Sequence, residues 1–269
     1  MKIIILLLKV GKMKFSELDR KMRTFEELND QSVLPGVFVV VRLDGRNFTR
    51  LTKELVKFES PYDVVFRDYM IEVVKHLMEC GFRIIYGYNQ SDEISLLFHP
   101  LENTFQRKVR KINSILAGEA SGKFSLLINR VVSFDSRICQ FTSLETVVDY
   151  FRWRNEDSHR NALNSHCYWM LRKNGESERK AAKVLERLSE AEKNELLFQY
   201  GINFNDLPKW QKRGIGLYWQ RQAKKGYNPK LNREEISEKK ILKVDLELLM
   251  KEKYSQFIEK LVTDAIKKD

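Results

Sequence analysis

The chain has 269 residues, enough for one large domain or two smaller ones with a sizeable buried core. It carries 48 Lys and Arg against 37 Asp and Glu, and this net charge of +11 favours a polyanionic partner such as nucleic acid over a basic surface that is only solvated. Cys80, Cys139 and Cys167 form no Cys-x-x-Cys pair and no zinc-ligand spacing with the histidines, which argues against a disulfide or zinc framework and indicates a reducing, cytoplasmic environment.

The N-terminus begins with an apolar run at residues 3–8. This run is too short to span a membrane, and no small-residue cleavage site of a secretory signal follows it. Met13 begins a more ordinary N-terminal sequence. We therefore expect residues 1–12 to be an upstream extension.

The first two thirds of the chain alternate between strand and helix patterns. Residues 36–43 are apolar and β-branched and end at the Asp44-Gly45 pair, which predicts a buried strand. Residues 63–80 carry apolar side chains at helical spacing up to Gly81, which predicts a helix. The following patterns predict strands at residues 82–88 and 94–98 around a polar turn at 89–92, a basic helix at 104–123, and one or two strands at 130–141.

The order β-α-β-β-α-β predicts an α/β (α+β) fold with a ferredoxin-like antiparallel sheet. In that topology the third strand lies between the first two and antiparallel to the first. The end of strand one and the start of strand three then share one edge of the sheet. Asp44 ends strand one, and Asp92 and Glu93 start strand three, so we expect three carboxylates to converge there.

The last third of the chain is predicted to be mostly helical. Residues 189–192 form a capping box that opens a helix ending near residues 200–201. Residues 214–219 are a candidate short strand, and apolar residues from Tyr254 to Val262 predict a terminal amphipathic helix.

Converging carboxylates repel one another unless a cation lies between them. Oxygen ligands of this kind suit magnesium, and the Gly45 carbonyl can approach an ion beside Asp44. Two magnesium ions about 3.5–4 Å apart activate an attacking oxygen and neutralise a leaving pyrophosphate. Taken separately, Asp44-Gly45 and residues 90–93 are also typical of ordinary turns, so the spacing alone is weak support for a metal site.

Basic residues could hold a triphosphate or an RNA. Arg107, Lys108, Arg110 and Lys111 are candidate phosphate ligands, although a solvated helix face explains them equally well. A second basic stretch at residues 150–164 combines aromatic residues that can stack on bases with polar residues that can grip phosphates. Those polar residues are Arg152, Arg154, His159, Arg160, Asn161 and Asn164. No Gly-x-x-x-x-Gly-Lys loop is present, which disfavours a P-loop ATPase.

Several motifs in one order resemble the tRNA-histidine guanylyltransferase family, including its guanylyltransferase-like branch. The resemblance covers roughly residues 14–220. The matching segments are Arg-Leu-Asp-Gly-Arg-Asn-Phe at 42–48, Ser-Asp-Glu at 91–93, Phe-Asp-Ser-Arg at 134–137, Trp-Arg-Asn-Glu-Asp-Ser-His-Arg-Asn at 153–161, and Lys-Asn-Glu-Leu-Leu-Phe at 193–198 with Lys-Arg-Gly at 212–214.

The resemblance implies a palm-like catalytic domain at residues 13–142 and a mostly helical RNA-handling region, packed on the palm, at residues 143–269. It also implies 3′–5′ nucleotide addition, in which ATP adenylylates an RNA 5′ phosphate and the 3′-hydroxyl of a nucleotide such as GTP then attacks it. The expected partners are tRNA and nucleoside triphosphates, without a membrane, in a homotetramer. The implied residues are Asp44, Gly45 and Asp92 for two Mg²⁺ ions, Glu93 beside them, Arg46, Asn47, Phe48, Ser91 and Lys111 for the nucleotide, and Arg152, Arg154, His159, Asn161, Lys193 and Arg213 for activation or RNA.

Two departures from the family pattern bear on the substrate. The tRNA-histidine-specific branch has His-Ile-Asn-Asn where this chain has His-Arg-Asn-Ala at residues 159–162, which favours template-dependent repair of tRNA 5′ ends over untemplated guanosine addition to tRNA-His. A family lysine is replaced by Ser60, which leaves the substitute cation open. A basic RNA-binding protein with a degenerate palm and a conventional 5′–3′ polymerase or cyclase remain alternatives.

Overall fold

The computed structural model describes residues 13–228 and 233–267, and the expected extension at residues 1–12 lies outside them. Within these ranges the strands are β1 (Phe38–Gly45), β2 (Ile84–Gln90), β3 (Glu93–Phe98), β4 (Phe134–Phe141), β5 (Ile215–Asn228) and β6 (Arg233–Asp245). The α-helices are α1 (Phe15–Glu27), α2 (Phe48–Arg50), α3 (Val64–Glu79), α4 (Val109–Ile128), α5 (Leu144–Lys173), α6 (Glu178–Leu185), α7 (Glu190–Gln199), α8 (Lys209–Arg213) and α9 (Lys251–Ile266). None of the helices in the described ranges is long and apolar enough to cross a membrane.

The described strands form one antiparallel sheet in the order β4-β1-β3-β2-β5-β6. The predicted ferredoxin-like topology is therefore confirmed, with β3 between β1 and β2. The register pairs Asp44 with Glu93 across β1 and β3, and Asp44 with Asp135 across β1 and β4. This register brings the end of β1 to the β2–β3 turn, as the sequence predicts.

Alternating residues of β1 face two different hydrophobic clusters. Val39, Val41 and Leu43 pack beneath α3 and α4, whereas Val40 packs beneath the first half of α5 and α9. Because side chains alternate along a strand, Arg42 and Asp44 point to the α5 face of the sheet. One face of β1 thus contributes to the core beneath α3 and α4, and the other face carries Arg42 and Asp44.

The second half of α5 extends past the sheet and supports a third cluster. Ala162, Leu163 and Cys167 of this helix pack there against residues of α6 and α7. The predicted capping box is present, with Ser189 and Glu192 satisfying each other's backbone N–H groups at the start of α7. This half of α5 forms a wall above the end of the sheet that carries Asp92.

Four elements differ from the sequence prediction. The helix predicted from residue 104 begins at Val109, because Phe105 and Gln106 have φ near +55° and interrupt the helical path. The predicted strand at residues 214–219 is the first part of the longer β5, which pairs along its length with β6. Neither β6 nor α1 has a counterpart in the sequence prediction.

Candidate active site

Asp44, Gly45 and Asp92 meet at the predicted edge of the sheet. The Gly45 N–H donates a hydrogen bond to the Asp92 carbonyl at 3.2 Å. A Cβ at Gly45 would overlap the ring of Phe48, so a side chain there would displace this ring. Ser91 adopts a left-handed backbone with φ of 52° in the β2–β3 turn, and its hydroxyl donates to Asp92 at 3.0 Å.

The two aspartates create an excess of negative charge. The pKa of Asp92 is raised to about 6, mainly by burial and in smaller part by the charges of Asp44 and Glu93, against the lowering effect of hydrogen bonds. The Asp44 side chain is 36% exposed, and the guanidinium of Arg137 lies 3.9 Å from its carboxylate, beyond hydrogen-bonding distance. A divalent cation at this edge would relieve the repulsion, so the donor set fits magnesium.

Glu93 lies at the predicted edge, opposite Asp44, but it is ion-paired with arginines. Its two oxygens are bound by Arg42 from the same face of β1 and by Arg154 from α5. No cluster of three or more potential metal-ligating Asp, Glu, His or Cys side chains occurs in the described part of the chain. The three carboxylates therefore converge as predicted, but Glu93 is ion-paired with two arginines, which leaves Asp44 and Asp92 as the candidate metal ligands.

Arg154 is buried, whereas a contact with RNA would require an exposed side chain. Its side chain is only 6% exposed, and besides Glu93 it contacts Asp157 at 3.4 Å and stacks on Trp153. The Arg154 guanidinium thus links α5, from inside the protein, to the edge of the sheet that carries Asp44 and Asp92. A surface contact with RNA phosphate is not open to it in this geometry.

The residues expected near the nucleotide divide into three groups. Arg46, Asn47 and Ser91 are exposed at the Asp44 edge. Phe48 is buried among aromatic rings and serves as core, so it cannot stack on a nucleotide. Lys111 lies near the start of α4, at the opposite end of the sheet, because α4 runs back toward the edge over its 20 residues. At 1.5 Å per residue, Lys111 is about 25 Å from the end of α4 that precedes β4, so a single chain does not bring it to Asp44.

A cleft of about 310 Å³ opens beside Asp92, between the start of α3, the β2–β3 turn and the second half of α5. Aromatic side chains line it, and two of them carry cations on their faces. Arg67 stacks on Trp210 at 4.9 Å, and the Lys53 ammonium lies 5.4 Å from the Trp169 ring. Arg67 and Lys53 line the same cleft as Ser60, so they are the candidate cations in place of the family lysine. The sequence did not predict these cation–aromatic pairs, because Trp169 and Trp210 lie in helical patterns, where tryptophan is typical of the core.

The exposed polar residues of α5 lie within three successive turns of the helix. Arg152 is paired with Glu156 at 2.8 Å and has a side chain 43% exposed. Arg160 is more exposed, and it and Asn161 both hydrogen-bond to Asp157. These side chains form the accessible polar face of α5 that the sequence predicts.

The remaining expected residues lie deeper, around α8. His159 is half-buried against Phe204, and burial, followed by the charges of Lys212 and Arg213, lowers its pKa. Arg213 donates to the Leu248 carbonyl at 2.9 Å. Lys193 packs its backbone against α5, where its carbonyl accepts from Cys167. These contacts tie the helical region together beside the cleft.

The protein has a ferredoxin-like antiparallel sheet with two aspartates at one edge. Beside them lies an aromatic cleft with the basic side chains Arg67 and Lys53. This combination is that of a palm-like nucleotidyltransferase. Comparison with known families agrees. Residues 19–143 match the family model described as tRNAHis guanylyltransferase, and residues 145–265 match the Thg1 C terminal domain. The chain belongs to the tRNAHis guanylyltransferase family.

Relatives and solved structures support this membership. A mouse protein named "Probable tRNA(His) guanylyltransferase" is 32% identical over 74% of this chain and 70% of its own length. "tRNA(His) guanylyltransferase 1" of Arabidopsis thaliana is 33% identical over 71% of this chain, which spans only 35% of that longer protein. The structure of a bacterial tRNA(His) guanylyltransferase (Thg1)-like protein in complex with ATP has a TM-score of 0.72 and 25% identity, covering 91% of this chain and 99% of its own. The crystal structure of the Saccharomyces cerevisiae enzyme has a TM-score of 0.68 and 29% identity over 73% of this chain and 91% of its own.

Proposed function

We propose that this chain is a magnesium-dependent, template-dependent nucleotidyltransferase that adds nucleotides to the 5′ end of tRNA in the 3′–5′ direction. The observation that carries the proposal is the convergence of Asp44, Gly45 and Asp92 beside the aromatic cleft. The cleft is of a size that a nucleotide needs, and ATP- and GTP-bound structures of bacterial relatives support nucleoside triphosphates as its ligands.

Asp44, Asp92 and the Gly45 carbonyl are the residues that would hold two Mg²⁺ ions. When bound, the ions supply charge neutralisation for the phosphates and the leaving group. The protein's part is to hold these oxygens at one edge, and the Arg42–Glu93–Arg154 ion pairs keep β1, β3 and α5 in fixed relation to it.

The proposed chemistry has two displacement steps. An oxygen of the RNA 5′ monophosphate attacks the α-phosphorus of ATP, and pyrophosphate leaves. The 3′-hydroxyl of a nucleoside triphosphate then attacks the activated 5′ phosphorus, loses its proton, and AMP leaves. Aromatic residues of the cleft would stack on the base of a nucleoside triphosphate, while Arg67 and Lys53 would face the phosphates of that nucleotide.

The RNA would approach along the exposed face of α5. Arg152 and Arg160 lie there, and the net charge of +11 supports long-range attraction of a polyanion. This assigns RNA handling to residues 143–269 and catalysis to residues 13–142. A homotetramer in the cytoplasm completes the proposal; the free cysteines Cys80, Cys139 and Cys167 suit a reducing compartment.

Untemplated addition of guanosine to tRNA-His is the second candidate, because the relatives carry that name. The residues after His159 separate the two. Ala162 is fully buried in the helical cluster, so an asparagine there would be an interior group, whereas Arg160 is exposed and suits a phosphate of any sequence. The replacement of the branch's second asparagine by Ala162 thus changes the packing of this turn of α5. Arg160 supplies a contact to RNA that does not depend on sequence.

The nucleotide opposite the missing position tests the proposal. A tRNA lacking its first nucleotide and carrying a 5′ monophosphate is incubated with the protein, ATP, Mg²⁺ and each nucleotide separately. A templated enzyme restores the complement of nucleotide 72, whatever the anticodon, and a change at position 72 switches the nucleotide added. Addition of guanosine to tRNA-His alone, unaffected by that change, would establish the second candidate instead.

A further inference from the structure

Helix α1 stands apart from the rest of the protein. None of its residues is buried, and no helix or strand within residues 13–228 and 233–267 packs extensively against it. The chain is anchored just after α1, where Asp30 is bound by Lys108 and Arg110. A helix of 13 residues is marginal in water by itself, because most helical stability in proteins comes from packing. The isolation of α1 therefore points to a partner surface.

The apolar side chains of α1 form one stripe. Phe15, Leu18, Met22 and Phe25 follow one another at spacings of three, four and three residues, which is the heptad spacing of a coiled coil with Phe15 and Met22 at a and Leu18 and Phe25 at d. The two phenylalanines are 81% and 63% exposed. Together the four side chains expose on the order of 400 Å² of apolar surface. Such a continuous stripe marks an interaction site, unlike scattered exposed apolar residues.

The charges beside this stripe distinguish one orientation of a second copy from the other. Lys21 occupies a g position, Lys14 is the N-cap residue at the place of the preceding g position, and Asp19 and Glu26 occupy e positions. In a parallel pair each g residue faces the e residue five positions further along the partner helix, so each lysine faces a carboxylate. In an antiparallel pair g faces g and e faces e, which places like charges together. Asp19 also forms an exposed ion pair with Arg23 in its own helix, and such a pair is weak enough to yield or to share the carboxylate.

We infer that α1 pairs in parallel with α1 of a second copy of this chain, as a short two-stranded coiled coil. A stable dimer buries about 800 Å² per partner, roughly twice what the stripe offers, so α1 is one part of a larger contact between the copies. The parallel pair is isologous, and its two charged flanks are equivalent by symmetry. This inference concerns assembly and does not depend on the reaction proposed above.

Charge reversal in the full-length chain tests the pairing, with sedimentation velocity as the measurement. The variant Lys14→Glu/Lys21→Glu and the variant Asp19→Lys/Glu26→Lys each place like charges at every g–e contact. We expect the dissociation constant of the assembly to rise at least tenfold for either variant alone, and an equimolar mixture to recover assembly as a heteromer. The control Arg20→Glu/Arg23→Glu changes the charge as much as the first variant, at f and b positions away from the stripe, and leaves assembly unchanged.

Cysteine cross-linking tests the orientation. In a parallel pair the two copies of residue 18 face each other within disulfide distance, so oxidised Leu18→Cys links to itself beyond the background of the wild-type cysteines. Because no residue of α1 is buried within a single chain, all these variants should keep the wild-type fold, as their circular dichroism spectra would show. A monomeric wild-type chain, assembly unaffected by both charge reversals, or a Leu18→Cys chain that links only to a Met22→Cys chain would each overturn the inference. Covering of α1 by residues 1–12 of its own chain would give the second of these results.

Discussion

Glu93 offers a sharp perturbation, because its two arginine partners predict a stabilising role that a metal ligand would not have. Glu93→Gln keeps the shape of the side chain and removes its charge. The Arg154 side chain is 6% exposed and that of Arg42 is 17% exposed, so both cations lose their partner in a largely buried place. Removing one member of a buried ion pair costs about 3–5 kcal/mol.

The expected loss at Glu93 is smaller than this full cost. The Glu93 side chain is 28% exposed, and Arg154 keeps Asp157 at 3.4 Å. We therefore expect Glu93→Gln to lower the free energy of unfolding by about 2 kcal/mol, which corresponds to a fall of about 4–8 °C in melting temperature for a chain of this size. Calorimetry in EDTA at pH 7.5 measures it.

The neighbouring carboxylate provides the matched control. Asp92→Asn removes the same charge one residue away. Burial and the charges of Asp44 and Glu93 disfavour the ionised form of Asp92, so this variant should melt at or above the wild-type temperature in EDTA. The double variant Arg42→Gln/Glu93→Gln should lose less than the sum of its parts, since the two residues share one interaction. A Glu93→Gln protein as stable as the wild type would refute the arginine clamp and return Glu93 to the group of free carboxylates.

Three further predictions follow from the same geometry. Addition of Mg²⁺ should raise the melting temperature of the wild type but leave that of Asp44→Asn almost unchanged, because ligand binding stabilises only the state that binds; an equal shift in both would exclude Asp44 as a ligand. In EDTA, the stability of the wild type relative to Asp92→Asn should decrease as the pH rises from about 4 to about 6 and level off above it, since the raised pKa of Asp92 means that the folded state holds the proton more tightly than the unfolded state; a constant difference across pH unfolding curves would contradict this sign. Binding of tRNA should weaken steeply with salt, and Arg152→Ala or Arg160→Ala should reduce the slope by about one, as followed by fluorescence anisotropy; slopes equal to that of the wild type would remove α5 as the RNA face.

The sheet and its functional edge were predictable from the sequence because their signals are local. The apolar run before Asp44 and the polar turn before Glu93 fix two strand ends, and the ferredoxin-like order then requires these ends to meet. The position of Lys111 followed from the same topology, since a helix after β3 starts at the far end of the sheet. The resemblance to a family suggested a role for Lys111 near the nucleotide, and the fold of one chain does not bring it there.

The environment of the site depends on contacts that local patterns do not carry. Arg154 reaches Glu93 across 61 residues of sequence, and nothing in its helical segment distinguishes it from the exposed Arg152. The Arg67–Trp210 stack likewise joins α3 to α8, two elements far apart in the sequence. Strand β6 was missed because residues 233–240 are mostly charged, which is typical of a solvated segment.

The end of the RNA that gains a nucleotide tests the central claim most directly. A tRNA that lacks its first nucleotide, with its 3′ end blocked by periodate oxidation, is incubated with ATP, Mg²⁺ and a labelled nucleoside triphosphate. The product is then digested to locate the label. The account predicts label at the 5′ end for the wild type, loss of that label with EDTA, and loss by orders of magnitude in Asp44→Asn and Asp92→Asn, both still folded. Label that requires a free 3′ end, or wild-type incorporation by both variants, would contradict it.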